Sequence, residues 1–398
     1  VNLLLTLTAY PPSIGGAQLL MHQLARALNT RHSVQVVTQW DSQRTDWLHG
    51  TTLDAPRESK DYVVDGVHVH RLTLTPDARR RLRPWVAAYY ALQGPALRRI
   101  AAALADTFAP YAATADLIHN CRIGREGLSY ASYDLARARG IPFVLTPVHH
   151  PRWGGWLHRY YHRLYRQADA VIALTEAERE ILEGLGVAPQ RIFVTGMGPV
   201  LADTHGAERF RQAHGLGADP VVLFLGQKYA YKGLPALLGA APAVWRRVPE
   251  TRFVFIGPRT PYSRRLFANI TDPRILELDT VDVQTKTDAL AACTLLCVPS
   301  TQESFGGVYT EAWSLGKAVI AADIPAVRQV VADGVDGVLV SPDGADLAEQ
   351  LINLLLHPEH SAALGAAGCQ KVQARYTWPR LAELTEAVYT RVRAGGLA

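Results

Sequence analysis

Residues 294–312 read TLLCVPSTQESFGGVYTEA. The first seven form an apolar run the length of a buried strand, and Ser304, Phe305, Gly306 and Gly307 lead from it into a helix running to Leu315. A helix starting there turns its first N–H groups and the positive end of its dipole toward whatever lies beyond the strand. Glu303, in the loop, and Glu311, inside the helix, stand eight positions apart. That separation is too long for an i, i+4 pair and does not suggest a shared proton. Each carboxylate can accept bonds from vicinal hydroxyls such as those of a sugar or a ribose. Each also suits plainer duty, Glu303 as a capping acid and Glu311 as a solvated helical one.

The same strand-then-helix alternation extends in both directions. Strand candidates in the first half are VNLLLTL, SVQVVT, VHVHRL, DLIHN, PFVLT, AVIAL and RIFVT; in the second they are PVVLFLG, RFVFIG, RILEL, TLLCVP, AVIAA and GVLV. Continuous apolar strands separated by amphipathic helices specify parallel sheets covered on both faces. At 398 residues the chain is too long for one core. The expected architecture is two doubly wound, Rossmann-like α/β domains facing across a cleft: 1–197, 198–378, and a terminal helix over 379–398 packing back across the boundary. GMGPVLADTHGAERFRQAHGLGADP, residues 196–220, reads as the linker. In such sheets ligands bind beyond the carboxyl ends of the strands, which gives motifs there their weight.

Composition excludes several classes. No apolar stretch approaches the ~20 residues that span a bilayer. The opening VNLLLTLTAY has neither a basic leader nor a small-residue cleavage site, so a cytoplasmic protein is expected. The four cysteines, Cys121, Cys293, Cys297 and Cys369, form no C-x-x-C pair and read as free thiols. Residues 1–198 carry 22 Lys and Arg against 16 Asp and Glu, while the remainder carries 19 against 20, so the basic excess lies in the first half. No nucleic-acid recognition motif accompanies it.

Two further loops follow strands. In AYPPSIGGAQLLMHQLARAL, Gly15 and Gly16 clear space where a ligand could approach backbone N–H groups at a helix start; a tight turn that binds nothing explains the doublet equally well. In PVVLFLGQKYAYKGLPALL, Lys228 and Lys232 lie between Gly226 and Gly233, and two ammonium groups there would attract phosphate oxygens.

Together these pieces resemble the family 4 retaining glycosyltransferases, which have the GT-B fold. ESFGGVYTEA matches their E-x7-E motif. GGAQ, ADAVIALTEAERE, GQKYAYKG and LGKAVIAADIPAVRQVVADGVDGVLVSPDGADLAEQL occur in the family's order. The resemblance implies that Glu303 binds hydroxyls of the donor sugar and Glu311 the nucleotide ribose. It implies that Lys232 neutralises the diphosphate of a UDP- or GDP-linked sugar, with backbone donors from Gly15, Gly16, Phe305 and Gly306, and with Ser304 and Gly307 in the same loop. Where the family commonly has arginine this chain has Gln227, and Lys228 is expected to supply the missing charge. Val148 stands where the family often has a histidine near the sugar, two after Thr146, and His149 or His150 is expected in its place.

The implied reaction transfers a sugar to an acceptor hydroxyl with retention, in glycan, glycolipid or related glycoconjugate biosynthesis. No Asp-x-Asp pair occurs, so a metal-independent site without a cofactor is expected. The segments 77–104 and 151–168 mix arginine with tryptophan and tyrosine. They suit a peripheral anionic membrane and a lipid-linked acceptor, or a helix with a buried aromatic face and a solvated basic one. Two alternatives on the same fold are a nucleotide-sugar epimerase and a nucleotide-sugar-binding protein without turnover. A dinucleotide-dependent oxidoreductase is opposed by the missing G-x-G-x-x-G after either first strand.

Overall fold

The computed structural model describes residues 1–13, 15–42, 48–122, 124–150 and 153–395. The chain divides into two compact units, one of residues 1–196 with 378–398 and one of residues 197–377.

The first unit is built on eight strands: β1 (Asn2–Thr6), β2 (Ser33–Thr38), β3 (Lys60–Val64), β4 (Val67–Arg71), β5 (Leu117–Cys121), β6 (Phe143–Thr146), β7 (Ala170–Ala173) and β8 (Ile192–Val194). Their order across the sheet is β3-β4-β2-β1-β5-β6-β7-β8. All neighbours are parallel except β3 and β4, which are antiparallel. Alternation along the central strands feeds two cores. Leu3, Leu5 and Leu117 pack with Met21, Leu24 and Leu28 of helix Gly16–Leu28, while Leu4, Ile118 and Phe143 pack with Ile100, Leu104 and Phe108 of helix Gln93–Ala112. Helix Trp378–Arg393 joins the first of these cores through Tyr389 and Val392. The buried His119 of β5 fixes it further, with Nδ1 2.7 Å from the Tyr389 hydroxyl and Nε2 2.8 Å from Thr146 Oγ1.

The edge strand β3 is absent from the sequence reading. KDYVV pairs on one side only and alternates between exposed and half-buried positions, so it lacks an apolar run. Its connection to β4 is a two-residue turn at Asp65 and Gly66, both with positive φ, the Asp-Gly hairpin chemistry.

The second unit has β9 (Val221–Leu225), β10 (Arg252–Ile256), β11 (Ile275–Leu278), β12 (Leu295–Val298), β13 (Ala318–Ala322) and β14 (Val338–Val340), all parallel, in the order β11-β10-β9-β12-β13-β14. Its four central strands, β10, β9, β12 and β13, are buried on both faces, which explains their uninterrupted apolar runs. The glycine-rich 196–220 stretch is not a free linker. From residue 197 it belongs to this unit, and helix Ala207–Ala213 docks on helix Val283–Ala292. Arg209 places two bonds on Asp288, at 2.6 and 2.7 Å, and holds that carboxyl below its usual range. No helix among the described residues is long and apolar enough to cross a membrane.

Candidate functional site

The loops beyond β9 and β12 are tied together by backbone. Thr301 donates its N–H to the Tyr231 carbonyl at 2.8 Å, and Ser300 Oγ reaches the same oxygen at 3.3 Å. Gly233 closes the first loop with φ +82, and a Cβ there would lie 2.3 Å from the Pro299 carbonyl oxygen, so only glycine permits this approach. The result brings Lys232 to Glu303, Nζ to Oε1 at 2.6 Å, with the side chains 17% and 11% exposed. Gly306, at φ +85, caps helix Gly307–Ser314, whose first N–H groups have no intrahelical acceptor. A side chain at Gly306 would strike the Tyr309 ring, and one at Gly307 would meet Met197. Phe305 is buried against Tyr376, ring centroids 5.3 Å apart, so its side chain is structural and only its backbone is offered.

Glu311 projects from that helix and is buried. Its Oε1 accepts from Lys286 Nζ at 2.6 Å, and the same ammonium donates to the Val200 carbonyl at 2.6 Å. Oε2 has no partner among the described residues. A buried carboxylate oxygen left open is costly unless a donor arrives, and a vicinal diol is such a donor. Lys286 is a functional residue that the sequence reading passed over. Nothing in VQTKTDAL marks it, because its partner sits 25 residues later.

Lys228 corrects the sequence expectation. Its ammonium does not stand open in the loop to replace the arginine missing at Gln227. It is fully buried, paired with Glu277 of β11, and donates to the Leu278 carbonyl at 2.5 Å. Burial lowers its pKa against the pull of Glu277. Glu277 is in turn bonded by Arg259 at 2.6 Å; although burial raises it, the bonds from Arg259 and Lys228 hold its carboxyl below the ordinary range. The pair fastens the β9 loop to the sheet edge. Gln227, half-buried after Gly226, makes its carbonyl bond to Tyr229 N–H at 2.9 Å.

In the first unit Gly15 precedes helix Gly16–Leu28 in extended conformation, φ −178, without a side-chain cap. Gly16 has open space where a Cβ would stand, whereas a Cβ on Gly15 would fall 2.3 Å from the Gln18 amide oxygen. Gln18 itself is buried with both amide atoms unpartnered among the described residues, a second group beside the glycine doublet that the sequence reading did not single out.

Beyond β6, Val148 adopts φ +45, an outlier for a β-branched residue and a mark of a strained loop. His149 and His150 follow it but differ. His149 is buried; its N–H donates to Glu178 Oε1 at 2.5 Å and its Nδ1 lies 3.3 Å from the Tyr165 hydroxyl. Burial, then the Arg122 charge and neighbouring histidines, press its pKa down to about 3, so the ring is neutral at pH 7. His150 is half-buried, its ring 5.6 Å from Trp153. Glu178 also accepts from Leu174 N–H at 2.7 Å, and burial lifts its pKa to about 7. Behind the histidines, the buried Arg122 guanidinium is clamped 3.6 Å from the ring centroids of both Trp153 and Tyr161, with Nε and Nη1 unpartnered among the described residues.

Two family models match the chain. "Glycosyl transferase 4-like domain" covers residues 15–198 and "Glycosyl transferases group 1" covers 219–357. Phosphatidyl-myo-inositol mannosyltransferase of Mycolicibacterium smegmatis is 35% identical over 179 residues, 44% of this chain and 46% of that protein. The chain thus spans about half the length of such relatives in these matches. Alpha-maltose-1-phosphate synthase of the same organism is 28% identical over 392 residues, 85% of this chain and 98% of that one. Among solved structures, Anabaena HepE with UDP and glucose superposes with a TM-score of 0.74 at 19% identity, covering 98% of this chain and 99% of that chain, a likeness of fold.

Proposed function

The chain belongs to the family 4 glycosyltransferases, and from that premise we propose that it moves a glycosyl group from a nucleoside-diphosphate sugar, UDP- or GDP-linked, to an acceptor hydroxyl. The transfer retains anomeric configuration and uses no metal ion. The observation that carries the reading is the pairing of Lys232 with Glu303, together with a Glu311 carboxylate, eight positions after Glu303, that keeps one buried oxygen open.

When the anomeric C–O bond breaks, negative charge grows on the departing diphosphate. Lys232, held by Glu303 of the loop that leads into helix Gly307–Ser314, and the N–H groups opening that helix are fixed in advance to meet that charge, which favours the transition state over the ground state. Glu303 orients the ammonium and accepts from sugar hydroxyls; Glu311 accepts from the ribose. The acceptor hydroxyl attacks the face the diphosphate leaves, and its proton passes to a phosphate oxygen of the leaving group. His149, neutral and enclosed, shapes the loop after β6 that also carries His150.

The acceptor is lipid-linked and the enzyme meets an anionic membrane peripherally, at its cytoplasmic face. The first unit supports this with exposed Trp156 and Leu157 next to Arg159, and the mannosyltransferase that the chain resembles carries a phosphatidylinositol in its name. A thermal-shift panel of nucleotide sugars tests the donor: one UDP- or GDP-sugar raises the melting temperature by several degrees and the others do not. Incubation with that donor alone then leaves the sugar unisomerised, and NMR of the product shows an α linkage from an α donor. A β linkage overturns the mechanism; an isomerised sugar makes the protein an epimerase. Salt-sensitive flotation with anionic liposomes is the expected membrane result, and its absence removes the peripheral reading.

A further inference from the structure

In the first unit an open cavity of about 450 Å³ lies between helix Leu48–Thr52 and helix Pro76–Ala87, within the ~300–1,000 Å³ of small-molecule sites. Leu48, Leu53, Val86 and Ala87 form its apolar lining, and Arg83 and Tyr90 its cationic and aromatic one. His49, the other described residue of the lining, is occupied by Asp54 at 2.7 Å. The cavity is held open rather than left to collapse. Arg79 donates to the carbonyls of Leu53, Ala55 and Pro56, each at 2.7 Å, and so fixes the start of helix Pro76–Ala87 at a set distance from the chain that follows helix Leu48–Thr52.

Positive charge is in excess around it. Arg80, Arg81, Arg98 and Arg99 are exposed with Arg83 on the two neighbouring helices, which carry the acids Asp77, 3.4 Å from Arg80, and Asp106, while Asp54 is taken by His49. Tyr90, 42% exposed, continues the lining to Arg125, whose Nη2 lies 3.3 Å from the Tyr90 hydroxyl and whose Nη1 has no partner among the described residues. Glu126, the nearest acid in sequence to Arg125, is buried and engaged by the Tyr89 hydroxyl. An exposed apolar rim adjoins this end: Gln93 donates to the Leu157 carbonyl at 3.1 Å, which sets Leu92 beside Leu157 and Trp156.

An apolar cavity held open by the half-buried Arg79, bordered by an excess of exposed arginines and an aromatic rim, fits an amphiphile with one hydrocarbon arm and one anionic group. We propose that this cavity receives the hydrocarbon chain of a phosphorylated lipid acceptor, with Arg83 and Arg125 taking its phosphate. The inference rests on the reading of the chain as a transferase with a lipid-linked acceptor, and it names where that acceptor binds.

Alkyl phosphates test it by isothermal titration on the full chain. Each buried methylene is worth about fourfold in affinity, so dodecyl phosphate binds at least tenfold more tightly than octyl phosphate, and inorganic phosphate binds more weakly than either. Dodecyl maltoside, with the same chain and no charge, binds at least tenfold more weakly than dodecyl phosphate. Ala87→Trp, an exposed position on the lining, fills the cavity and weakens dodecyl phosphate at least tenfold; Arg83→Glu does the same while both variants keep the nucleotide-induced thermal shift of the unaltered protein. Equal binding of dodecyl maltoside, or an Ala87→Trp variant that binds dodecyl phosphate unchanged, overturns the proposal, the latter even if Arg83→Glu still weakens association with anionic vesicles. If no nucleotide sugar shifts the protein, the proposed function fails instead, whatever the amphiphiles do.

Discussion

Lys228 and Lys232 sit four residues apart in one loop, and the structure gives them opposite fates. Lys232 faces a carboxylate at 2.6 Å with both partners partly exposed, an arrangement a diphosphate can open and re-form around itself. Lys228 is wholly buried between Glu277, a backbone carbonyl and the Phe267 ring, and its charge is spent on joining the loop to β11. The difference teaches that a cation's usefulness at a phosphate site depends on what the fold has already paired it with. Residue type and spacing are equal for the two.

The comparison breaks first at Lys232. Lys232→Ala removes the cation aimed at the leaving group, and kcat falls by ~10²–10³ while the fold and melting temperature hold. A loss below tenfold would mean that another group neutralises the diphosphate. Lys228→Met is expected to do the reverse. Removing one member of a buried pair costs ~3–5 kcal/mol, and because Glu277 is only partly buried and Arg259 still bonds it, the loss in denaturant titration is nearer ~2 kcal/mol, with kcat per folded molecule little changed. A Lys228→Met variant of normal stability and abolished turnover would restore Lys228 to the donor site. Lys286→Met sharpens the contrast further. Glu311 then carries its charge without a counter-ion, and nucleotide affinity by calorimetry falls about tenfold, ~1.4 kcal/mol, because the carboxylate that meets the ribose is no longer held in place.

Much of this was legible from sequence because it is local. Apolar runs bounded by glycine and proline give the parallel strands, and the loop after β12 declares itself through Gly306, whose φ no other residue adopts as readily. What was hidden depends on partners far along the chain. The burial of Lys228 is decided by Glu277, 49 positions later, and the anchoring of Glu311 by Lys286. Within the basic run 79–83, Arg79 is consumed by carbonyls of the 53–56 loop while Arg80, Arg81 and Arg83 stay exposed, a division that composition does not reveal. The edge strand β3 escaped because an edge needs no apolar run; the Asp-Gly turn beside it was the available signal.

The first unit differs from the second in how it tolerates buried ionisable groups, and pH exposes the difference. Burial drops His119 from 6.5 to about 3, so it stays neutral when folded while the unfolded chain takes a proton below 6.5; stability from this group is full above 6.5 and is lost as pH falls. His149 runs the same way. Glu178 runs oppositely: its folded value of about 7 against 4.5 means the folded form keeps a proton that the unfolded chain releases, so stability falls as pH rises from 4.5 to 7. Between pH 6 and 5 each group contributes ~1.2 kcal/mol, two against one, and the net expectation is a loss of ~1 kcal/mol on acidification. Hydrogen exchange of the Ile118 and Val144 amides, in the core strands β5 and β6, reads it directly. His119→Gln should flatten the slope over that interval and Glu178→Gln should roughly double it. A Glu178→Gln variant with the slope of the unaltered protein would mean that Glu178 is ionised in the fold, and that the loop carrying His149 is held by a charge rather than by a neutral acid.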